Sequence, residues 1–160
     1  MPQRKLPRFG DDGGVVGPEF ERVRAVLDSN VLISAPITRG PAHRIVLQWL
    51  KSEPFELIIC PALLEEVASV LIDRDRLRRW ISTEDAGLYV HRLSTTADNR
   101  DDPASGPSLR RDPDDDFIVY LARENDADLI VSGDGDLLDW PEQQPPVMKP
   151  AEFERVLTQN

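Results

Sequence analysis

Residues 55–71 read FELIICPALLEEVASVL, and the change of pattern inside that stretch decides the fold. The first six residues, FELIIC, lack the polar alternation of a half-exposed strand and read as a strand covered on both faces. Pro61 then opens a helix, because proline's missing N–H would be unpaired in a first turn anyway. Leu63, Leu64, Val67, Val70 and Leu71 recur at helical spacing and form one apolar face. A buried strand running straight into a helix is the building unit of a parallel α/β protein.

The same alternation extends in both directions. Towards the amino terminus, residues 40–51 carry Ile45, Val46, Trp49 and Leu50 at helical spacing, and residues 23–27 form a short apolar run ending at Asp28. Towards the carboxyl terminus, residues 74–81 and 82–93 read as two helices, with Ser82 as an N-cap. Residues 99–108 are rich in Asp, Pro and Gly and read as a loop. Residues 115–125 are helical, with Ile118, Leu121 and Ala122 facing inwards. DLIVS at 128–132 is another buried strand, followed by a Gly/Asp turn; 145–148 is a last strand and 150–157 a last helix. The expected class is α/β, a three-layer α/β/α arrangement with a mainly parallel central sheet and right-handed crossovers. There is no internal repeat.

The bulk properties agree with one domain. The chain has 160 residues, 40% apolar and 30% charged, enough apolar material for a real core. Residues 1–20 hold Gly10, Gly13, Gly14, Gly17 and Pro18 with little apolar periodicity. They are expected to be a flexible arm before a single domain at 21–160. No run approaches the roughly 20 apolar residues of a membrane helix, and the basic start has no apolar run behind it, unlike a signal peptide. The lone Cys60 excludes an internal disulfide and points to a reducing, cytoplasmic location. With only His43 and His91, there is no Cys/His pattern for zinc. The net charge of −10 argues, taken alone, against a nucleic-acid binder with a basic footprint. A carboxylate cluster built to hold a divalent cation would contribute to the same imbalance, which also leaves room for a basic partner protein.

In open α/β sheets the binding crevice lies beyond the carboxyl ends of the strands, and the acids collect there. Asp28 ends the first strand. Asp134 and Asp136 follow DLIVS, Asp112 and Asp114–Asp116 open a helix, and Glu65 and Glu66 lie one turn into the helix after FELIIC. Like charges brought close raise one another's pKa and need a counter-charge, which a hard divalent cation with oxygen ligands supplies. Mg²⁺ or Mn²⁺ so held would activate a water for phosphodiester hydrolysis.

Each piece has a plainer reading. Asp28-Ser29-Asn30 and Asp134-Gly135-Asp136 suit turns. Asp114–Asp116 suits a helix N-terminus. Glu65 and Glu66 sit about 100° apart on a helix, so at most one faces a site. The convergence of four segments favours the functional reading. His43 and His91 read as surface helix residues and Cys60 as a packed thiol. Arg74, Arg76, Arg78 and Arg79 suit a phosphate backbone, although the interleaved Asp73 and Asp75 favour an ordinary solvated helix.

The four stretches LDSNVLIS (27–34), CPALLEEVASVL (60–71), RDPDDDFIVYLA (111–122) and LIVSGDGDLL (129–138), in this order, resemble the PIN-domain nucleases. The nearest likeness is to their bacterial toxin–antitoxin, VapC-like group. The resemblance spans about residues 23–156. It implies catalytic, metal-binding roles for Asp28, Glu66, Asp115 and Asp134, with Asp136 as a further metal-binding acid. It also implies supporting roles for Asn30, Ser132 and Asp112, the last as a helix cap or as a group behind the metal ligands. The implied activity is Mg²⁺- or Mn²⁺-dependent cleavage of single-stranded RNA by the toxin of a toxin–antitoxin pair, with a cognate antitoxin and a tendency to homodimerise. The sequence departs from the compact family pattern in its amino-terminal arm and in the acidic loop 99–108, which puts substrate access in question. The alternative within the fold is a non-catalytic PIN-like binding or scaffold protein. A haloacid-dehalogenase-type phosphatase would need an aspartate where Asn30 stands, and a receiver domain would need a paired acidic motif and a late lysine.

Overall fold

The computed structural model describes residues 22–104, 106, 107, 109, 113–140 and 143–159, with 113–115 described in backbone only. The amino-terminal arm and Asp112 lie outside the described residues. In chain order the elements are β1 (Arg24–Leu27), α1 (Ser29–Ser34), α2 (Pro41–Ser52), β2 (Glu56–Ile59), α3 (Pro61–Asp73), a 3-10 turn (Asp75–Arg79), α4 (Thr83–Thr96), β3 (Asp98–Asn99), α5 (Pro113–Glu124), β4 (Leu129–Val131), α6 (Gly135–Leu138), β5 (Val147–Met148) and α7 (Pro150–Thr158).

All five strands are parallel, in the order β3-β2-β1-β4-β5. From β1 the chain moves outwards through β2 to β3, then crosses over to β4 and β5 on the other side. The boundary between β1 and β4 is therefore the topological switch point, where ligand crevices of open α/β sheets form. Helices α1, α2, α3, α4 and α7 pack on one another in series, whereas α5 packs against β1 and β4. Right-handed crossovers put these two groups on opposite faces, giving the three-layer α/β/α architecture.

Local chemistry sets the boundaries. Proline occupies the first turn of α2, α3 and α7. Ser82 caps α4 by accepting from the Asp85 backbone N–H at 3.0 Å. Glu53 ends α2 in the left-handed region, φ 48°. Two segments differ from the sequence expectation. Residues 75–79 form a 3-10 turn where a helix was expected over 74–81. Arg74 is extended there, with φ −89° and ψ 106°, and the following bonds close three residues on (Leu77 N–H to Arg74 C=O, 3.0 Å). Asp98 and Asn99 form an edge strand at the start of the expected 99–108 loop. The backbone ladder to β2 (Arg100 N–H to Ile59 C=O, 2.8 Å) holds two polar residues that carry no strand-like pattern of their own.

The core runs between the sheet and the main helical layer. Phe55 meets Phe153 of α7 edge-on, ring centroids 5.0 Å apart, and Trp49 of α2 at 6.5 Å. Burying each such ring contributes on the order of 1.5–3 kcal/mol. At the amino-terminal edge of the sheet, Arg24 ties three strands together. Its guanidinium pairs with Glu56 of β2 at 2.6 Å and Asp98 of β3 at 3.2 Å. Its backbone N–H donates to the Asp128 carboxylate ahead of β4 at 2.8 Å. A cavity of about 330 Å³ opens at this edge, lined by Arg22, Arg24, Glu56 and Asp98 over a floor of Trp49 and Phe55. None of the candidate site residues lines it. Among the described residues, no helix is long and apolar enough to cross a membrane.

Candidate active site

Asp28 follows β1 and is the residue before α1, so the strand carries its backbone into the switch point. Its N–H continues the sheet ladder to Val131 C=O at 3.0 Å, and its C=O accepts from Val31 N–H at 2.9 Å and Leu32 N–H at 3.1 Å. The side chain does not cap the helix and is turned instead towards the end of β4. Asp28 is only 8% exposed, an unusual place for a carboxylate.

Two hydroxyls contact that carboxylate. Ser132, fully buried at the end of β4, donates to Oδ2 at 2.8 Å. Ser29 approaches Oδ1 at 3.5 Å. The Ser132 oxygen also accepts from the Asp134 backbone N–H at 3.0 Å. Asp134 in turn is the N-cap of α6, its Oδ1 accepting from the Asp136 N–H at 2.9 Å. Asp28, Ser132 and Asp134 thus form one connected unit over the β1–β4 boundary.

The electrostatics are those of two acids held together. Burial raises the Asp28 pKa above its ordinary 3.8, and the nearby negative charge of Asp134 raises it further. Hydrogen bonds from Ser132 and Ser29 oppose both effects. Among the described residues, no lysine or arginine pairs with Asp28 or Asp134. A carboxylate offers about four lone-pair sites, and the serines use up to three on Asp28, through both hydroxyls and the Ser29 backbone N–H. The donor set is therefore all hard oxygen and net negative, with no cation from the described residues, which fits a divalent metal.

The other candidates make no hydrogen bond to this unit through their side chains or have side chains outside the described set. Glu66 and Glu65 are both exposed on α3, whose inward stripe is Leu63, Val67 and Leu71. Asp136 is exposed on α6. Asp115 is the third residue of α5, and its side chain lies outside the described set. Asn30 is exposed on the first turn of α1, and Ser29, which sequence reading passed over, is the α1 residue touching Asp28. Only its adjacency to Asp28 pointed to it. Among the described residues, no three His, Cys, Asp or Glu side chains come together as a metal-holding group.

The remaining side chains singled out from sequence are mostly structural. Cys60 is buried, and burial together with Asp102 pushes its thiol up to about 11. Asp102 itself accepts from the Ala62 N–H at the start of α3, 2.8 Å. His43 is half-buried with Nδ1 2.8 Å from Ala35 C=O, while His91 is exposed. The Arg78 guanidinium bonds to Leu71 C=O, and that of Arg79 lies over the Trp80 ring at 5.0 Å.

The PIN-domain family profile matches residues 24–136. An uncharacterized protein of Methanocaldococcus jannaschii, MJ1680, is 26% identical over 117 residues, covering 73% of this chain and 74% of that protein. The crystal structure of PAE2754 from Pyrobaculum aerophilum aligns with a TM-score of 0.62 and 19% identity, covering 86% of this chain and 91% of that one. VapBC2 from Rickettsia felis, bound to a DNA fragment from their promoter, aligns at 0.55 and 12% identity, covering 79% of this chain and 98% of that one. At these identities the two structures establish a shared fold.

Proposed function

This chain belongs to the PIN-domain family, and from that premise we propose that it is a metal-dependent endoribonuclease acting on single-stranded RNA. PIN domains are in general nucleases that use divalent metal ions. The observation that carries the reading is the Asp28–Ser132–Asp134 unit: a buried acid beside a second acid, at the switch point, with no cation paired to either among the described residues.

In this reading Asp28 and Asp134 would hold Mg²⁺ or Mn²⁺, with Glu66, Asp115 and Asp136 as further acids of the site. When bound, such an ion supplies positive charge to a phosphodiester and acidifies water. The protein's own part is orientation. Ser132 donates its hydrogen to the Asp28 carboxylate and accepts from the Asp134 backbone N–H, while the Asp136 N–H holds the Asp134 carboxylate, so neither acid can turn without breaking a bond. The uncompensated negative charge repels RNA until it is neutralised, which ties substrate approach to metal binding.

We further propose that the activity is that of a toxin in a toxin–antitoxin pair, acting in the cytoplasm and binding a cognate antitoxin. The likeness in fold to VapBC2 and the four sequence motifs support this, and the net charge of −10 suits a basic partner segment. A homodimer is part of the same reading. The test is cleavage of a labelled single-stranded RNA pool with Mn²⁺, with Mg²⁺ and with chelator. Cleavage only with added metal supports the enzyme. Metal binding without cleavage of any RNA favours the scaffold reading.

A further inference from the structure

We infer that Tyr89 is a positioning residue for Asp28, acting through the backbone of α1; the catalytic side of this inference rests on the function proposed above. In an α-helix each C=O accepts from the N–H four residues on. For Leu32 that residue is Pro36, which has no N–H. Leu32 is fully buried, so its carbonyl has no ready water to turn to, and a buried unpaired carbonyl is costly. Tyr89, reaching in from α4, supplies the missing donor. Its hydroxyl donates to Leu32 C=O at 2.6 Å.

The neighbouring carbonyls find partners locally. Val31 C=O accepts from Ala35 N–H at 3.1 Å, and Ser34 C=O from Thr38 N–H at 2.9 Å. Among the carbonyls of α1, that of Leu32 is the one whose donor the chain's own proline removes, and a side chain 57 residues away replaces it.

The consequence reaches the site through one residue. The Leu32 N–H donates to Asp28 C=O at 3.1 Å, so the Leu32 backbone is held by Tyr89 on one side and holds Asp28 on the other. A six-residue helix has little stability of its own, and α1 therefore depends on such tertiary bonds. Burial raises the Tyr89 pKa well above its ordinary value, which keeps the phenol a donor throughout the working pH range.

The experiment compares Tyr89→Phe, Pro36→Ala and the double variant. Tyr89→Phe keeps the ring and removes one hydrogen bond. Amide exchange at Val31 and Leu32 should quicken about tenfold, and kcat for RNA should fall by about 10-fold with KM unchanged. Pro36→Ala restores a backbone N–H in reach of Leu32 C=O, so the double variant should recover both exchange protection and kcat. Unchanged exchange in Tyr89→Phe, or a folded double variant that recovers neither, overturns the inference. The exchange measurement needs no substrate. If the wild type cleaves no RNA, the nuclease reading fails while exchange and its rescue still decide the role of Tyr89.

Discussion

Ser132, at the end of β4, donates its hydroxyl to Oδ2 of Asp28, at the end of β1, across 2.8 Å. The two residues are 104 apart in sequence, and the pairing of Leu27 with Val131 in the sheet register brings them together. The same oxygen accepts from the Asp134 N–H, so one atom sets the spacing of both acids. Ser132→Ala removes both bonds without adding bulk. The expected loss is about 1–3 kcal/mol of stability and about 10–100-fold in Mn²⁺ affinity, read by thermal melts and calorimetry. An alanine variant that binds Mn²⁺ as the wild type does would remove Ser132 from the site.

Asp28 also makes a pH prediction. Burial raises its pKa above the ordinary 3.8 in the folded protein, so the folded state binds that proton more tightly than the unfolded state does. The associated stability is fully present below the ordinary value and is lost as pH rises through the raised value. Metal-free Asp28→Asn should therefore melt higher than wild type at neutral pH, and the gap should close as pH falls towards 3.8. Saturating Mn²⁺ should stabilise the wild type more than the variant. A variant that melts lower than wild type at neutral pH without metal would contradict this placement of Asp28.

Much of this arrangement is legible in the sequence, for identifiable reasons. FELIIC, apolar but for Glu56, and LIV lack polar alternation, which marks buried parallel strands, and the acids that follow strands fall where the strand-end rule puts them. Asp28 and Asp134 meet for that reason. Helix α1 is not legible, because it is short, follows β1 after a single residue and ends two residues before Pro36. Strand β3 is not legible because Asp98 and Asn99 owe their extended shape to the ladder with β2 and not to any pattern of their own. The face on which Glu66 lies was uncertain for a simpler reason: it adjoins Glu65, and both prove exposed. Ser29 was overlooked because nothing but its neighbour marks a serine as a carboxylate's partner.

The aromatic contact of Phe55 with Phe153 anchors α7 on the core. Phe153 is fully buried, and Phe153→Ala leaves a cavity that adjoining rings fill only in part. The expected cost is about 3–5 kcal/mol, measured by urea denaturation. A loss below about 1 kcal/mol would mean that α7 contributes little to this core.

Arg24 is a control at the far edge of the sheet. Arg24→Met removes the cation that Glu56 and Asp98 share, leaving Glu56 with Arg22 at 3.7 Å and Asp98 with Arg100 at 3.1 Å. Because both acids keep partial solvent access, the expected cost is about 1–3 kcal/mol. Cleavage per folded molecule should be unchanged, since the Arg24 cluster and the Asp28 unit lie at opposite ends of β1. A selective loss of cleavage in a fully folded variant would show that the two edges are coupled.

The most direct test of the account is metal-dependent cleavage of single-stranded RNA by wild type, Asp28→Asn and Asp134→Asn, with Mn²⁺ binding followed by calorimetry on the same samples. The account predicts that wild type binds Mn²⁺ and cleaves only in its presence, and that each variant stays folded, loses Mn²⁺ affinity and falls to background cleavage. Folded variants that bind Mn²⁺ and cleave as well as wild type would contradict it.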